Sequence, residues 1–131
     1  MSGLRGIPLS GGLPVLYLSG PMTGLPDSNY PAFHSAARML RRRGYEVRNP
    51  AENTLPGEPR WVDYMRLSIG QLMTADAVAL LPGSEKSDGA GIETRLAIRL
   101  GMEVRAFRYW LTKQEQDAYM ARLQEGAEHG G

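Results

Sequence analysis

The 131-residue sequence contains no cysteine, which excludes disulfides, thiolate metal ligands and a cysteine nucleophile at once. Only two histidines are present, His34 and His129, too far apart in the chain to suggest a histidine metal site, so neither metal nor cofactor is expected. No stretch approaches the ~18–20 consecutive apolar residues that span a bilayer. The start of the chain lacks a charged segment followed by an apolar one, so a secretory signal is not expected and a cytoplasmic location is. Excess charge is also missing: Lys and Arg number 15 against 14 Asp and Glu, a formal net charge of +1. Bulk attraction to nucleic acid or to a membrane surface is therefore not indicated. The one local cluster, Arg38, Arg41, Arg42 and Arg43, falls late in an expected helix, where cations suit the macrodipole and face water.

What is present is the material of one ordinary domain. The chain is 42% hydrophobic and 22% charged, sufficient for a single modest core. Residues 1–14, rich in Gly and Pro and without periodicity, read as a flexible leader. Val15–Ser19 is a short apolar run of the kind buried in parallel sheets, closed by Gly20-Pro21. A loop follows to Asn29. Pro31 then suits a first helical turn, Phe33, Ala36, Ala37 and Leu40 repeat with helical spacing, and Gly44 stops the helix. Tyr45–Arg48 reads as a second strand, and Trp61–Thr74 as a helix with Val62, Met65, Ile69, Leu72 and Met73 on one face. Ala77–Leu81 is a third strand, Gly91–Leu100 a third helix, and Glu103–Phe107 a fourth strand. Thr112 and Glu115 have capping-box spacing for a last helix that ends near Glu125, with 126–131 as a disordered tail.

Strands alternating with helices specify an α/β fold, a single domain over 15–125 built on a parallel sheet with helices on both faces. In such sheets ligands bind beyond the carboxyl ends of the strands, where the strand order reverses. Two loops are implicated, Gly20–Asn29 and Pro82–Glu93. On a helix starting near Gly91, Glu93 shares a face with Leu96, Ala97 and Leu100, while Arg95 and Arg99 lie opposite. A carboxylate in the first turn of a core-facing stripe is either a dipole partner or buried ion pair, or a catalytic group of the glycosidase-nucleophile type. Gly20-Pro21-Met22-Thr23-Gly24 is either a simple turn or a loop presenting backbone N–H groups to a phosphate. It matches neither the dinucleotide fingerprint nor the P-loop. Ser87-Asp88-Gly89-Ala90-Gly91 reads as a second flexible loop, whose hydroxyl and backbone can also meet a phosphate.

Three segments carry a family resemblance: Tyr17-Leu18-Ser19-Gly20-Pro21-Met22-Thr23-Gly24, Asp76 through Gly83, and Ser87 through Glu93 with Ala97 and Gly101. In this order and spacing they resemble the nucleoside 2-deoxyribosyltransferase-like superfamily, in particular a small branch found in phages and prophages. The likeness spans about Val15 to Val104. It implies a flavodoxin/Rossmann-like strand order and cleavage or transfer of the N-glycosidic bond of deoxynucleosides or their 5′-monophosphates. By the same resemblance, Glu93 falls on the family's nucleophile and Tyr17 on a tyrosine that orients it. Gly20, Pro21, Met22, Thr23 and Gly24 fall on the loop that holds the sugar-phosphate end, with Ser87, Gly89 and Ala90 facing it. Ser87 stands where monophosphate hydrolases of the family carry Ser and nucleoside transferases carry Asp, which favours a monophosphate user, since an acid there would repel phosphate.

Ser68 is a departure. It occupies the position of an Asp that helps protonate the leaving base in the family, and such acid catalysis is commonly worth ~10²–10⁴ in rate. Asp63, about 140° round the same helix, does not replace it. Two functions therefore stand open: a glycosidase or deoxyribosyltransferase using Glu93, and a catalytically weak nucleotide-binding module. The expected partners are a small nucleotide or nucleoside and further copies of the chain in a homodimer or larger homo-oligomer, with Trp61, Met65 and Trp110 as candidate interface residues. Neither nucleic acid nor membrane is an expected partner.

Overall fold

The computed structural model describes residues 12–130. Most of the expected leader, residues 1–11, lies outside the described residues, as does residue 131. At the edge of that leader, Leu13 packs against the core.

Eight main elements follow in alternation. They are β1 (Leu16–Ser19), α1 (Tyr30–Arg42), β2 (Val47–Arg48), α2 (Trp61–Leu72), β3 (Ala77–Leu80), α3 (Asp88–Arg99), β4 (Glu103–Ala106) and α4 (Phe107–Gly130). The strands form one parallel sheet in the order β2-β1-β3-β4. The expected α/β fold of flavodoxin/Rossmann type, with helices on both faces, is the fold found. Among the described residues no helix is long and apolar enough to cross a membrane.

The core follows from the two-residue period of β1. Leu16 and Leu18, with Ala77 and Ala79 of β3, face α1 and the buried Trp110 of α4. Tyr17 and Val78 face the other way, toward Leu72 of α2 and Ala97 of α3. The α1 stripe Phe33, Ala36, Ala37 and Leu40 is buried as its spacing predicts, and Gly44 ends that helix in a left-handed conformation (φ +100°) open to glycine without strain.

Several boundaries and faces differ from expectation, each for a local reason. Helix α4 begins at Phe107, directly after β4, and runs to Gly130, through the segment expected as a tail. The Thr112/Glu115 spacing is not a cap: the Thr112 hydroxyl donates to the Tyr109 carbonyl within the helix, at 3.0 Å, and Glu115 pairs with Arg43. Trp110, expected at an interface, is fully buried; its indole N–H donates to the Val78 carbonyl at 3.0 Å, and Tyr45 donates to its carbonyl at 2.5 Å. On α2, Val62 and Met73 are exposed, and the inward face is instead the one carrying Ser68 and Leu72. Leu100 closes α3 at its C-terminus and is half exposed rather than buried beside Glu93.

Strand order reverses between β1 and β3, and there the segments leaving the two strands nearly touch. A Cβ placed on Gly20 would lie 2.8 Å from Leu81 Cβ, closer than packed carbons tolerate. This closeness requires glycine at 20 whatever the loop beyond it binds. Gly20→Ala is expected to destabilise the fold by roughly 1–3 kcal/mol, the range for an added core methyl that forces backbone shifts. Urea unfolding of the variant measures this, and an unchanged midpoint and slope would refute the constraint.

Candidate functional site

At this reversal point the polar face of β1 meets α3. Tyr17 and Ser19 are two residues apart, so both project from the same side of the strand. Both reach Glu93. The Tyr17 phenol donates to Oε2 at 2.5 Å and the Ser19 hydroxyl to Oε1 at 2.7 Å. Ser19 is fully buried and Glu93 is 5% exposed. A carboxylate in that position has lost most of its water and gained one hydroxyl donor on each oxygen. The two effects oppose each other. Burial is the larger and raises the Glu93 pKa above the usual carboxyl range, while the bonds from Tyr17 and then Ser19 pull it down. Tyr17 is held well above its ordinary value by burial first and by the Glu93 charge second; the Ser68 hydroxyl acts in the opposite sense. Tyr17 thus stays a neutral donor, locked between Ser68 and the carboxylate.

Helix α3 begins three residues earlier than its spacing suggests, and this alters the role of two residues. Ser87 is its N-cap, accepting the Ala90 N–H on its hydroxyl oxygen at 3.2 Å. It is therefore fixed at a helix end, not carried on a flexible loop. Glu93 moves to the second turn, where the N-terminal dipole has faded, and the β1 hydroxyls become its main stabilising partners. Ala90, Glu93 and Ala97 form the buried stripe of the helix.

Above Glu93 lies a cavity of about 220 Å³. Of the residues singled out from sequence, Tyr17, Gly20, Met22, Thr23, Ser68, Ser87, Gly89, Ala90 and Glu93 line it. Pro21 and Gly24 are not among its lining residues: the Pro21 carbonyl accepts a 2.9 Å bond from the Asn29 side chain, and Gly24 is exposed. Asp63 is also elsewhere, accepting the Arg60 backbone N–H at 2.8 Å.

Sequence reasoning missed the walls and one functional hydroxyl. Ser19 was legible from strand parity with Tyr17. Trp61, Tyr64, Met65 and Ser68 line the cavity at i, i+3, i+4 and i+7, a helical stripe beside the expected one through Val62 and Ile69. Ser68 is where the resemblance puts it, whereas Met65, expected at an interface, turns into the cavity. Gly89 keeps α3 close to this wall, since a Cβ there would meet Met65 Sδ at 3.1 Å. Tyr30 and Phe33 complete the enclosure from α1. Ser28 reaches the cavity from a left-handed run, Asp27, Ser28 and Asn29 with φ of 52°, 54° and 61°, which no residue pattern announced.

The site thus joins one buried carboxylate, aromatic walls, and the Ser87 hydroxyl at the α3 N-terminus. Among the described residues, no group of three or more His, Asp or Glu is placed to hold a metal ion. Residues 14–106 match the family described as Domain of unknown function (DUF4406), well over half of the chain. The chain belongs to this family. Comparison with curated proteins found no match. The segment matched in this DUF4406 member takes in β1 through β4 and, among the described residues, all those that line the cavity.

The raised pKa of Glu93 makes a pH signature. The folded chain holds this proton more tightly than the unfolded chain does. The stability so contributed is complete below the ordinary carboxyl pKa and is lost as pH rises through the folded value. Glu93→Gln removes the titration. Its melting temperature relative to wild type is expected to rise between about pH 4.5 and neutrality, and Ser19→Ala, which strips one donor from the charge, should move the wild-type transition to higher pH. Thermal unfolding across that range measures both, and a pH-independent difference between Glu93→Gln and wild type would contradict the assignment.

Proposed function

We propose that this DUF4406 protein cleaves or transfers the N-glycosidic bond of a small (deoxy)nucleoside 5′-monophosphate, with Glu93 as the nucleophile. The observation that carries the reading is the buried Glu93 carboxylate, aimed by Tyr17 and Ser19 at the floor of an aromatic-walled cavity. A nucleophilic carboxylate must keep a fixed direction and little solvation, and both conditions are met here. Attack on the anomeric carbon gives a glycosyl ester and frees the base. Water, or a second base, then displaces the carboxylate with net retention. The aromatic side chains Trp61 and Tyr64 suit a planar base. The N-cap hydroxyl of Ser87, the Thr23 hydroxyl and the first N–H groups of α3, which have no carbonyl partner within the helix, suit a phosphate.

The second reading, a binding module without turnover, draws on Ser68. That side chain lies at 7% exposure against Tyr17, where an acid would be needed to protonate a leaving base.

Base release from a panel of nucleosides and their 5′-monophosphates, followed by chromatography and mass spectrometry, separates the two. Glu93→Gln is expected to lower turnover by at least about 10³-fold while nucleotide binding in calorimetry survives. Ser87→Asp should reverse a preference for the monophosphate over its nucleoside. Tight nucleotide binding with no base released by wild type would establish the binding module instead.

Self-association belongs to the same proposal. Trp61, 47% exposed at the mouth of the cavity, and the exposed Val62 beside it are candidate contacts in a homodimer or larger homo-oligomer. Light scattering of the full chain is expected to give a multiple of 14.4 kDa, and a monomer at micromolar concentration would exclude it.

A further inference from the structure

We infer that the preferred substrates are N-glycosides whose base is a permanently cationic heterocycle, such as a pyridinium or a 7-alkylpurinium riboside. The inference rests on the glycosidase reading and narrows its substrate. Among the described residues lining the cavity, Glu93 is the sole carboxyl, and no Lys, Arg or His accompanies it. The remaining polar side chains are alcohols and phenols, far weaker acids than a carboxyl. A neutral purine leaves C1′ as an anion unless a proton reaches its ring, and the described lining holds no second acidic group to deliver one. A cationic base needs none. When Glu93 attacks C1′, the C1′–N bond breaks and its electron pair returns to the ring nitrogen, so the departing base is neutral. Water then hydrolyses the glycosyl ester, regenerating the carboxylate and releasing one proton. The sum is cationic nucleoside plus water giving free pentose, neutral base and H⁺.

The surroundings of Glu93 favour the same class in binding. A desolvated carboxylate with no cation beside it attracts a positive ring at short range. Tyr30, Phe33, Trp61 and Tyr64 present aromatic surface to the same space, and a flat cation over such rings gains a further ~0.5–2 kcal/mol. Ser68 fits this picture without being a defect: a carboxyl there would add a second negative group beside Tyr17 and serve only leaving groups that require a proton.

The test uses the full-length protein and matched pairs of probes. Nicotinamide riboside and its 5′-monophosphate are one cationic arm; 7-methylguanosine and its 5′-monophosphate, assayed at a pH below the ionisation of the guanine N1–H, are the other. Guanosine, adenosine, their 2′-deoxy forms and their monophosphates are the neutral ones. Base release is read by chromatography and proton release by pH-stat. Cationic probes are expected to exceed neutral ones by at least about 10² in kcat/KM, the scale of the missing acid. Comparison of the two cationic arms identifies which heterocycle the cavity fits. Ser68→Asp should raise the ratio of the neutral to the cationic rate at least tenfold. Should that variant fail to fold, the wild-type ratio alone decides. Neutral nucleotides cleaved as fast as cationic ones would overturn this inference and leave the glycosidase reading intact. Release of base from neither class would overturn both.

Discussion

A carboxylate that has lost most of its water is costly to hold, and in this protein two short hydroxyl bonds from one strand offset part of that cost. Tyr17 and Ser19 tie β1 to the second turn of α3 through the two oxygens of Glu93. The tie is possible because the sheet is parallel and its order reverses between β1 and β3, which leaves the ends of those strands uncovered by a crossover. It also explains the small residues nearby. Gly20 lets the chain leave β1 against Leu81, and Ala90 and Ala97 let α3 lie close enough to the sheet for Glu93 to reach across. Removing either hydroxyl leaves a buried charge short of a partner, so the direction of the carboxylate and the junction of β1 with α3 depend on the same pair of bonds.

The fold was largely readable because its strongest signals are local. The run Ala77–Leu80, the α1 stripe and the Gly44 stop each follow from a few neighbouring side chains, and the structure bears them out. The misreadings arose where local signals compete or are absent. Thr112 and Glu115 have the spacing of a cap, yet the helix had begun at Phe107 with no turn between it and β4, so no residue pattern could mark the start. Trp110 looked available for an interface because its burial depends on Tyr45 and Val78, which are distant in sequence.

Much of the candidate site was legible for a related reason. Glu93 breaks an otherwise apolar stripe, and Tyr17 and Ser19 share a strand face, so the period of each element marks the residues that turn inward. The walls were harder. Helix α2 is apolar around much of its circumference, and which stripe faces the cavity is settled by how it packs on the sheet rather than by its own sequence. Arg41 shows the same limit among charged residues. Sequence places it on a solvated face, and it remains there, but its guanidinium also clamps Glu52 at 2.7 Å and the Val47 carbonyl at 2.8 Å, linking α1 to the segment after β2.

The alternation along β1 has a consequence for how this chain can vary. Leu16 and Leu18 serve the core on one side, and Tyr17 and Ser19 serve the cavity on the other. A slip of the strand by a single residue would exchange the two sets, sending leucines toward Glu93 and a phenol into the aliphatic layer beneath α1. The core and the cavity floor are thus written in one four-residue frame. An insertion or deletion of one residue within it would exchange the two sets, whereas the connection beyond Gly20, free of that parity, can change length and reshape the cavity mouth while the carboxylate stays where it is.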